Sequence, residues 1–390
     1  MKVLVVHNRY RSGQPSGENA VVDQEVALLA GAGHEVSLFE RHSDDIAAMS
    51  LPAKASVPLR VPWNPAARGA LATRLARERP DVVHLHNTFP LLSPSVLAAC
   101  ADAGVPVVAT LHNYTLVCTP GTLFRDGKVC RDCVGGSPLP AVRHGCYRGS
   151  AVATVPGAVS QVLNRRRWRT GVSRFFCISA AQRELLVAAG LPAARLVVKH
   201  NFVPDPGVRR AGAGEHVLFL GRLAEEKGVR LLMAAWERAG VGLPLVVAGT
   251  GPLEREVAAW AAGRDDVHYV GLADRARCRE LTARAAAVVA PSEWLETFGL
   301  VVVEAMAAGV PAVAAGHGAF VELLGDGTGL LHRPGDAGSL ADALAAIVEP
   351  GRNAALGAAA RRRYVRDFTP EVGLSRLLSG YEAAVGHSLR

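Results

Sequence analysis

Two glutamates eight residues apart are the side chains of this sequence best suited to chemistry on a sugar. Glu296 precedes a Phe-Gly-Leu turn, and Glu304 precedes the segment Ala-Met-Ala-Ala-Gly-Val-Pro. An ionised carboxylate offers two oxygens as hydrogen-bond acceptors, so two such groups suit the hydroxyls of a sugar. Alone, the pair also fits the acid and base of a glycosidase, or two incidental acids on a solvated helix.

Two cations lie about seventy residues before the glutamates. A predicted strand ends at Gly221, and Arg222 and Lys227 follow five residues apart at the head of a predicted helix. Arginine forms forked hydrogen bonds with phosphate, lysine adds a point charge, and a helix N-terminus supplies free amides. The group therefore suits a diphosphate, although plain surface cations beside acidic neighbours are the alternative.

Gly249 and Gly251 form a glycine turn between a predicted strand and a predicted helix. The turn is similar to a dinucleotide-binding fingerprint, but Glu254 stands where that fingerprint has its third glycine. No acidic residue follows at the distance needed to bind a ribose, so a dehydrogenase is not expected. The turn instead suits close approach of the backbone to the phosphates or the sugar of a nucleotide.

Four cysteines fall within 29 residues of the first half, spaced Cys-x11-Cys-x2-Cys-x12-Cys. They are Cys118, Cys130, Cys133 and Cys146, with His144 as a substitute ligand. Such a set could form a closed tetrahedral zinc site that holds the glycine-rich loop 117–149 together. Free or redox-sensitive thiols and disulfides are the alternatives. Metal analysis that found no zinc and four reactive thiols would refute the zinc site.

Alternating strands and helices must position these groups. Predicted buried strands lie at residues 3–7, 35–39, 82–86, 105–111, 175–178 and 196–199, and again at 217–220, 245–248, 268–270, 286–290 and 310–314. Helical segments such as 20–32, 65–79 and 180–189 separate several of them. This alternation predicts doubly wound parallel sheets. Glu296 then lies in the loop after strand 286–290, and Glu304 lies on the following helix, which Gly309 ends.

Length and charge limit the class of protein. A chain of 390 residues exceeds the usual size of one core, and the proline- and glycine-rich segment 201–214 is the best candidate for a linker. Residues 1–205 carry 23 Lys and Arg against 14 Asp and Glu, whereas residues 206–390 carry 20 against 21. The basic half could attract an anionic acceptor, a membrane surface or nucleic acid. Without a secretory signal or an apolar span, we expect a cytoplasmic protein, peripheral at the inner face of the membrane if it contacts lipid.

Several motifs occur in a fixed order over residues 218–314. They are Gly-Arg-Leu-(x)3-Lys-Gly, Val-Val-Ala-Gly-x-Gly-Pro-Leu, Pro-Ser-x-x-x-Glu-Thr-Phe-Gly-Leu and Glu-Ala-Met-Ala-Ala-Gly-Val-Pro. Together they resemble the donor domain of family-4 retaining glycosyltransferases with the GT-B fold. The first half resembles the same family more loosely, through its first strand, the glycine loop at Gly17 and the segment Val-Val-His-Leu-His.

The resemblance implies an α/β protein with two Rossmann-like, doubly wound domains facing across a cleft. Residues 1–205 would bind the acceptor, residues 206–368 would bind the nucleotide sugar, and a helix in residues 369–390 would pack back toward the first domain. The Cys-rich loop 117–149 would border the acceptor pocket. The implied activity is transfer of a sugar from a nucleoside diphosphate to an acceptor hydroxyl with retention of anomeric configuration.

The resemblance also implies roles for single residues. Arg222 and Lys227 match the pair that binds the donor diphosphate and stabilises charge on the leaving group, so no catalytic metal is obligatory. Glu296 matches an acid near the transferred sugar, and Glu304 matches one on the donor ribose. The remaining donor-binding positions are Gly17, Gly221, Gly249, Gly251, Phe298, Gly299 and Leu300. His112 matches a catalytic histidine near the sugar, followed here by Asn113 where many relatives carry aspartate.

Substrate identity stays open at this point. UDP is favoured over GDP for the donor, although no residue distinguishes the two bases. The basic first half favours an anionic or lipid-linked acceptor, and a small secondary metabolite is the alternative. Other activities of the same fold, such as a phosphorylase or a sugar-nucleotide hydrolase, would share the donor pocket. A nucleic-acid binder would need aromatic residues repeated among the basic ones, which the sequence lacks.

Overall fold

The computed structural model describes residues 1–13, 16–210 and 212–388. The last two residues of the predicted C-terminal segment and residue 211 of the predicted linker lie outside the described residues. In the described part of the chain, no helix is both long enough and apolar enough to cross a membrane.

Strands of the described residues, in chain order, are β1 (Lys2–Arg9), β2 (Glu35–His42), β3 (Val82–Leu85), β4 (Val107–Leu111), β5 (Phe124–Arg125), β6 (Lys128–Val129), β7 (Arg174–Cys177), β8 (Leu196–Val198), β9 (His216–Leu220), β10 (Leu245–Ala248), β11 (Val267–Gly271), β12 (Ala285–Ala290), β13 (Ala312–Ala315) and β14 (Gly329–His332). The strands β3, β4, β10, β12 and β13 are buried at every residue, as central strands covered on both faces must be.

Helices of the described residues, in chain order, are α1 (Gly17–Gly31), α2 (Asp45–Ala48), α3 (Leu51–Arg60), α4 (Pro65–Glu78), α5 (Ser95–Asp102), α6 (Leu139–Arg143), α7 (Ala151–Gly171), α8 (Ala180–Ala188), α9 (Val229–Ala239), α10 (Glu254–Ala262), α11 (Arg275–Arg284), α12 (Leu300–Ala308), α13 (Ala319–Leu324), α14 (Ala337–Ile347), α15 (Pro350–Asp367) and α16 (Pro370–Ser388). Short 3-10 turns lie at Ala193–Arg195 and Glu225–Lys227.

Within the described residues, two parallel six-stranded sheets confirm the α/β class. The first has the order β2-β1-β3-β4-β7-β8, and the second has the order β11-β10-β9-β12-β13-β14. The direction of winding reverses between β1 and β3 in the first sheet and between β9 and β12 in the second. Ligands of such sheets bind beyond the carboxyl ends of the strands at these reversal points.

Contacts divide the chain into two compact units. The first contains Met1–Leu123, Arg131–Lys199 and the chain from Gly373 onward, and the second contains Phe124–Cys130 and His200–Val372. In the first unit, α16 packs on the core of the sheet, where Leu377 and Tyr381 are fully buried. The division after Lys199 lies shortly before the boundary suggested by the linker composition.

The core of the second unit shows why its helices form. Helix α9 buries one apolar stripe, which includes Leu232 and Trp236, against the second sheet. Helix α12 has apolar residues on nearly every side, and six of its nine residues are buried. Gly309, with φ 75°, ends α12, as the sequence predicts.

Candidate active site

Arg222 and Lys227 both follow β9, one of the two strands at the reversal point of the second sheet. Arg222 is exposed and forms an ion pair with Glu226, four residues later. Lys227 ends the 3-10 turn that leads into α9. The structure therefore places both cations at the edge of the sheet where ligands of doubly wound folds bind.

Glu296 lies in the loop after β12, the other strand at the reversal point, and is 7% exposed. Its Oε1 accepts hydrogen bonds from the Lys227 ammonium and from the Ser292 hydroxyl, the latter at 3.0 Å. The Lys227 Nζ also lies 4.9 Å from the centroid of the Trp294 ring. The family resemblance implies that Lys227 binds the donor diphosphate and that Glu296 lies near the transferred sugar. The structure joins these two residues in one ion pair.

The charge of Glu296 follows from its surroundings. Burial alone would raise the pKa of the carboxyl, but the Lys227 ammonium and its hydrogen bond hold that pKa below the ordinary value. Glu296 is therefore a carboxylate at neutral pH. It retains Oε2 as an acceptor for a ligand hydroxyl beside the cation.

The loops after β9 and β12 are also joined through the backbone. The amide of Glu293 donates to the carbonyl of Glu226 at 3.0 Å. Phe298 is buried, and its ring stacks 5.9 Å from His200 and lies 6.0 Å from Phe368. Its side chain therefore anchors the loop, which leaves its backbone as the part able to contact a ligand.

Helix α12 begins immediately after this loop, at Leu300. Its N-cap is Gly299, with φ 95°, and no side chain caps the helix. A Cβ at Gly299 would lie 2.4 Å from the ring of Phe320, so this position requires glycine. The first amides of α12 thus form an uncapped helix N-terminus, a site suited to anions.

Glu304 lies on α12, as predicted, with its side chain open to solvent. Desolvation by the surrounding protein raises the pKa of its carboxyl to about 7, and the positive charge of Arg275 opposes the rise.

The structure explains why the predicted turn after β10 contains glycines. Gly249 adopts φ 142°, and a Cβ there would lie 1.9 Å from the carbonyl oxygen of Gly221. A Cβ at Gly251 would lie 2.4 Å from the carbonyl oxygen of Leu223. Because the turn after β10 packs on the backbone after β9, these glycines shape the edge of the sheet whether or not they touch a nucleotide.

In the first unit, His112 directly follows β4 and bonds to a second histidine. Its Nε2 lies 2.9 Å from Nδ1 of His86, and the two rings stack with centroids 5.2 Å apart. Burial, followed by the positive charge of Lys199, holds the pKa of His112 well below its usual value. His112 is therefore neutral at physiological pH.

A buried polar network that the sequence did not reveal lies beside His86. Glu25 on α1 forms an ion pair with Lys199, which follows β8, and both side chains are almost fully buried. His84 bonds to the hydroxyls of Tyr381 and Thr110, each at 2.7 Å. The spacing of His84 and His86 was the only local signal, since the other members come from segments far apart in the chain.

Three residues of this network bring possible metal-ligand atoms close together. Atoms of Glu25, His84 and His86 lie within 4.8 Å of one another. Both ring nitrogens of His84 already bond to hydroxyls, and the Lys199 ammonium occupies one oxygen of Glu25. A second cation beside that ammonium would be repelled, so the residues fit a hydrogen-bonded network better than a metal.

Gly17 is the first residue of α1, and Ser16 caps the helix by accepting from the amide of Asn19 at 3.2 Å. The next residue, Glu18, accepts a hydrogen bond from the Tyr10 hydroxyl at 3.1 Å. Burial raises the pKa of Glu18 to about 7, while hydrogen bonds from Tyr10 and Asn113 act in the opposite direction. A carboxyl therefore stands beside the predicted glycine loop at the reversal point of the first sheet.

The four predicted zinc cysteines are divided between the two units. Cys118, Cys133 and Cys146 belong to the first unit, and their sulfurs are not among the described groups of three ligand atoms within 4.8 Å. Cys130 belongs to the short segment that groups with the second unit. None of the four forms a disulfide, and burial raises the pKa of Cys118 to about 11. The zinc site stays a prediction.

Comparison with known proteins matches both halves of the chain to enzymes that transfer sugars. Residues 15–205 match the family model described as Glycosyltransferase Family 4, and residues 214–350 match the one described as Glycosyl transferases group 1. A phosphatidyl-myo-inositol mannosyltransferase from Mycobacterium leprae is 32% identical over 357 residues, covering 87% of this chain and 84% of that protein. The protein of that description from Mycolicibacterium smegmatis is 29% identical and covers 98% of this chain and 94% of its own.

A solved structure of similar fold is HepE from Anabaena in complex with UDP. It superposes with a TM-score of 0.70 at 19% identity, covering 98% of this chain and 100% of that chain. At this identity the likeness establishes the fold.

Proposed function

The chain belongs to glycosyltransferase family 4 and has the GT-B fold, and from that premise we propose that it retains anomeric configuration and uses a nucleoside-diphosphate sugar. The enzyme is a glycosyltransferase. The observation that carries the proposal is the Lys227–Glu296 ion pair beside the exposed Arg222, at the reversal point of the second sheet. That group offers positive charge for a diphosphate and a carboxylate for a sugar within one small area.

The chemistry explains why these groups belong together. When the bond between the anomeric carbon and the diphosphate breaks, negative charge develops on the departing nucleoside diphosphate. Arg222, Lys227 and the first amides of α12 would stabilise that charge, and the ammonium of Lys227 and the amides are already in place before the reaction begins. They supply the role that a divalent cation would otherwise fill. Glu296 would accept hydrogen bonds from hydroxyls of the transferred sugar, and Glu304 from the ribose.

Substrate identity is supported by the comparisons and by charge. The relatives named phosphatidyl-myo-inositol mannosyltransferases support a lipid-phosphate acceptor and mannose as the transferred sugar. The HepE structure with bound UDP supports UDP as the carrier. The basic first half favours an anionic acceptor of this kind.

A panel of UDP and GDP sugars tests the donor. We expect one of them to raise the melting temperature by several degrees at millimolar concentration and to be hydrolysed slowly without acceptor. The Arg222→Ala variant should lose most of that stabilisation. If no sugar nucleotide stabilised the enzyme or was hydrolysed, while an oligonucleotide bound tightly, the donor proposal would be wrong. The anomeric configuration of the glycoside product, measured by NMR, tests retention.

A further inference from the structure

Helix α7 in the first unit exposes an apolar stripe on the face where a surface helix is normally polar. Five large aliphatic side chains on this helix are more than a third exposed, and Val152 is 82% exposed. They are Val152, Val155, Val159, Val162 and Leu163. Spacings of three, four, three and one residues place them on a single face over three turns of the helix.

The opposite face of α7 is the one that packs on the protein. Thr154, Ala158 and Asn164 are its buried residues, and Asn164 donates to the carbonyl of Pro62 at 2.9 Å. The buried side of the helix is thus partly polar, and its outward side is apolar. Packing on the core of the unit does not explain the exposed apolar side chains, because α7 already packs on the protein through its other face.

Arginines continue the stripe toward the C-terminus of α7. Arg166 is exposed and lies four residues after Val162, on the same face. Three further arginines flank it, and each of these is held in place: Arg165 and Arg169 donate to backbone carbonyls, and Arg167 lies 4.6 Å from the ring of Trp63. The helix therefore presents an apolar surface that ends in a fixed basic cluster.

Helix α3, which packs beside α7, has the same character. Leu51 and Leu59 are 81% and 80% exposed. No Asp or Glu occurs between Asp45 and Glu78, where five Lys and Arg lie. None occurs between Asp132 and Glu184 either, where eight Arg lie. Both helices thus come from segments that carry only positive charge.

A second copy of the chain fits this surface less well than a membrane does. By the helical rise, the stripe from Val152 to Leu163 is about 17 Å long and only one helix wide. A stable protein interface covers about 800 Å² on each partner. A lipid surface needs no such area, since apolar side chains that enter the headgroup region and arginines that meet anionic lipids act together.

We propose that the outward face of α7 is a docking surface for anionic lipid bilayers. The five aliphatic side chains enter the boundary between headgroups and acyl chains, and Arg166 with its neighbours binds lipid phosphates. This inference rests on the proposed function in one respect: a lipid-linked acceptor would be met at such a surface. It names the part of the enzyme that makes the contact.

Vesicle flotation of the full chain tests the surface directly. We expect binding to phosphatidylglycerol-containing vesicles and much weaker binding to phosphatidylcholine alone. The triple variant Val155→Gln, Val159→Gln and Val162→Gln should bind at least tenfold more weakly. Arg166→Gln should reduce binding about fivefold at low salt and make its dependence on salt shallower. Circular dichroism should show unchanged folding, since these side chains are exposed.

The second unit provides a matched control. Val208, Val321 and Val365 are 55%, 48% and 53% exposed, so their triple replacement by Gln should leave vesicle binding unchanged. Absence of binding by the parent chain, or equal loss in both triple variants, would overturn the proposal. A parent dimer that ignores vesicles and is dissociated by the α7 variant would assign the surface to a second copy instead. Because the donor panel contains no lipid, failure here leaves the donor proposal standing.

Discussion

Lys227 and Glu296 act on each other before any ligand is bound. The ammonium keeps a buried carboxylate ionised, and the carboxylate fixes the ammonium at the edge of the second sheet. Among the described residues, Arg222 forms an ion pair with Glu226 and is more than half exposed, so it can reorient toward a phosphate. The two cations therefore differ: one belongs to the folded framework, and the other is available at its surface.

Replacing each cation by alanine should separate these two roles. We expect Arg222→Ala and Lys227→Ala each to lower turnover by about 10²–10³, because each removes a positive charge that would stabilise the leaving group. Arg222→Ala should leave the melting temperature almost unchanged. Lys227→Ala should also destabilise the protein by about 1–3 kcal/mol, because it removes the positive charge that neutralises the buried carboxylate of Glu296.

Two further variants sharpen this experiment. Glu296→Gln in the Lys227→Ala background should recover stability but not turnover. Arg230 is an exposed arginine on nearby α9 that also pairs with a glutamate. The Arg230→Ala variant should change neither turnover nor stability. Steady-state kinetics and calorimetry measure the two quantities. Turnover near that of the parent in both cation variants would refute the diphosphate assignment.

His86 shows how a buried network can set the proton on His112. The Nε2 of His86 lies 3.7 Å from a carboxylate oxygen of Glu25, and neither atom has a hydrogen-bond partner among the described residues. That charge favours a proton on Nε2 of His86, so its Nδ1 accepts from Nε2 of His112. The remaining nitrogen of His112, Nδ1, is then the one without a proton.

At the scale of elements, the sequence predicted what depends on local pattern. Buried apolar segments at regular intervals indicated the parallel strands, and Gly309 indicated the end of α12. Helix α3 was not predicted, because it contains Pro52 and Pro58 and begins at Leu51, which is exposed. Strand β14 was also missed, since its segment is short and only partly apolar in pattern.

For the candidate site too, the sequence predicted positions along the chain but not the contacts between distant residues. Motifs located the positions of the second unit one by one, but no motif could show that Lys227 and Glu296 would meet across 69 residues. The network of Glu25, His86 and Lys199 was invisible for the same reason, because a contact between distant segments leaves no local pattern. Spacing reveals which strand end carries a residue, whereas burial and partners appear only once the sheet forms.

The turn after β10 depends on a glycine that no other residue can replace. We expect Gly249→Ala to destabilise the protein by about 3–5 kcal/mol, because the added Cβ would overlap the Gly221 carbonyl and force two loops apart. Gly240→Ala is the matched control: its φ is 53°, but a Cβ there meets nothing within 4 Å. It should cost only about 1–2 kcal/mol of left-handed strain. Equal melting temperatures for the two variants would contradict this account.

At the scale of the whole molecule, three buried histidines and the partly buried His112 couple the stability of the first unit to pH. The pKa of His7 falls to about 4, and the pKa values of His84, His86 and His112 lie well below the usual value, in each case chiefly through burial. Below about pH 6.5 the unfolded chain binds protons at these positions and the folded chain does not, so stability is complete above that pH and falls as pH decreases.

Carboxyls with a raised pKa act in the opposite direction over part of this range. Burial raises the pKa of Glu18 to about 7, and desolvation does the same for Glu304, so the folded chain binds more protons there than the unfolded chain. The four histidines and Glu18 lie in the first unit, whereas Glu304 lies in the second. The net slope in the first unit is therefore that of about three protons, or roughly 4 kcal/mol per pH unit at most.

Hydrogen exchange followed by mass spectrometry can measure this slope in the unit concerned. After correction for intrinsic exchange rates, protection of peptides that cover β3 and β4 should fall as pH decreases from 6.5 to 5, with His84→Gln reducing the slope by about one proton. Glutamine can still form hydrogen bonds with the two hydroxyls that bond to His84, but its side chain does not titrate. Protection that stayed constant or rose as pH fell would show that these histidines are not neutral in the folded protein.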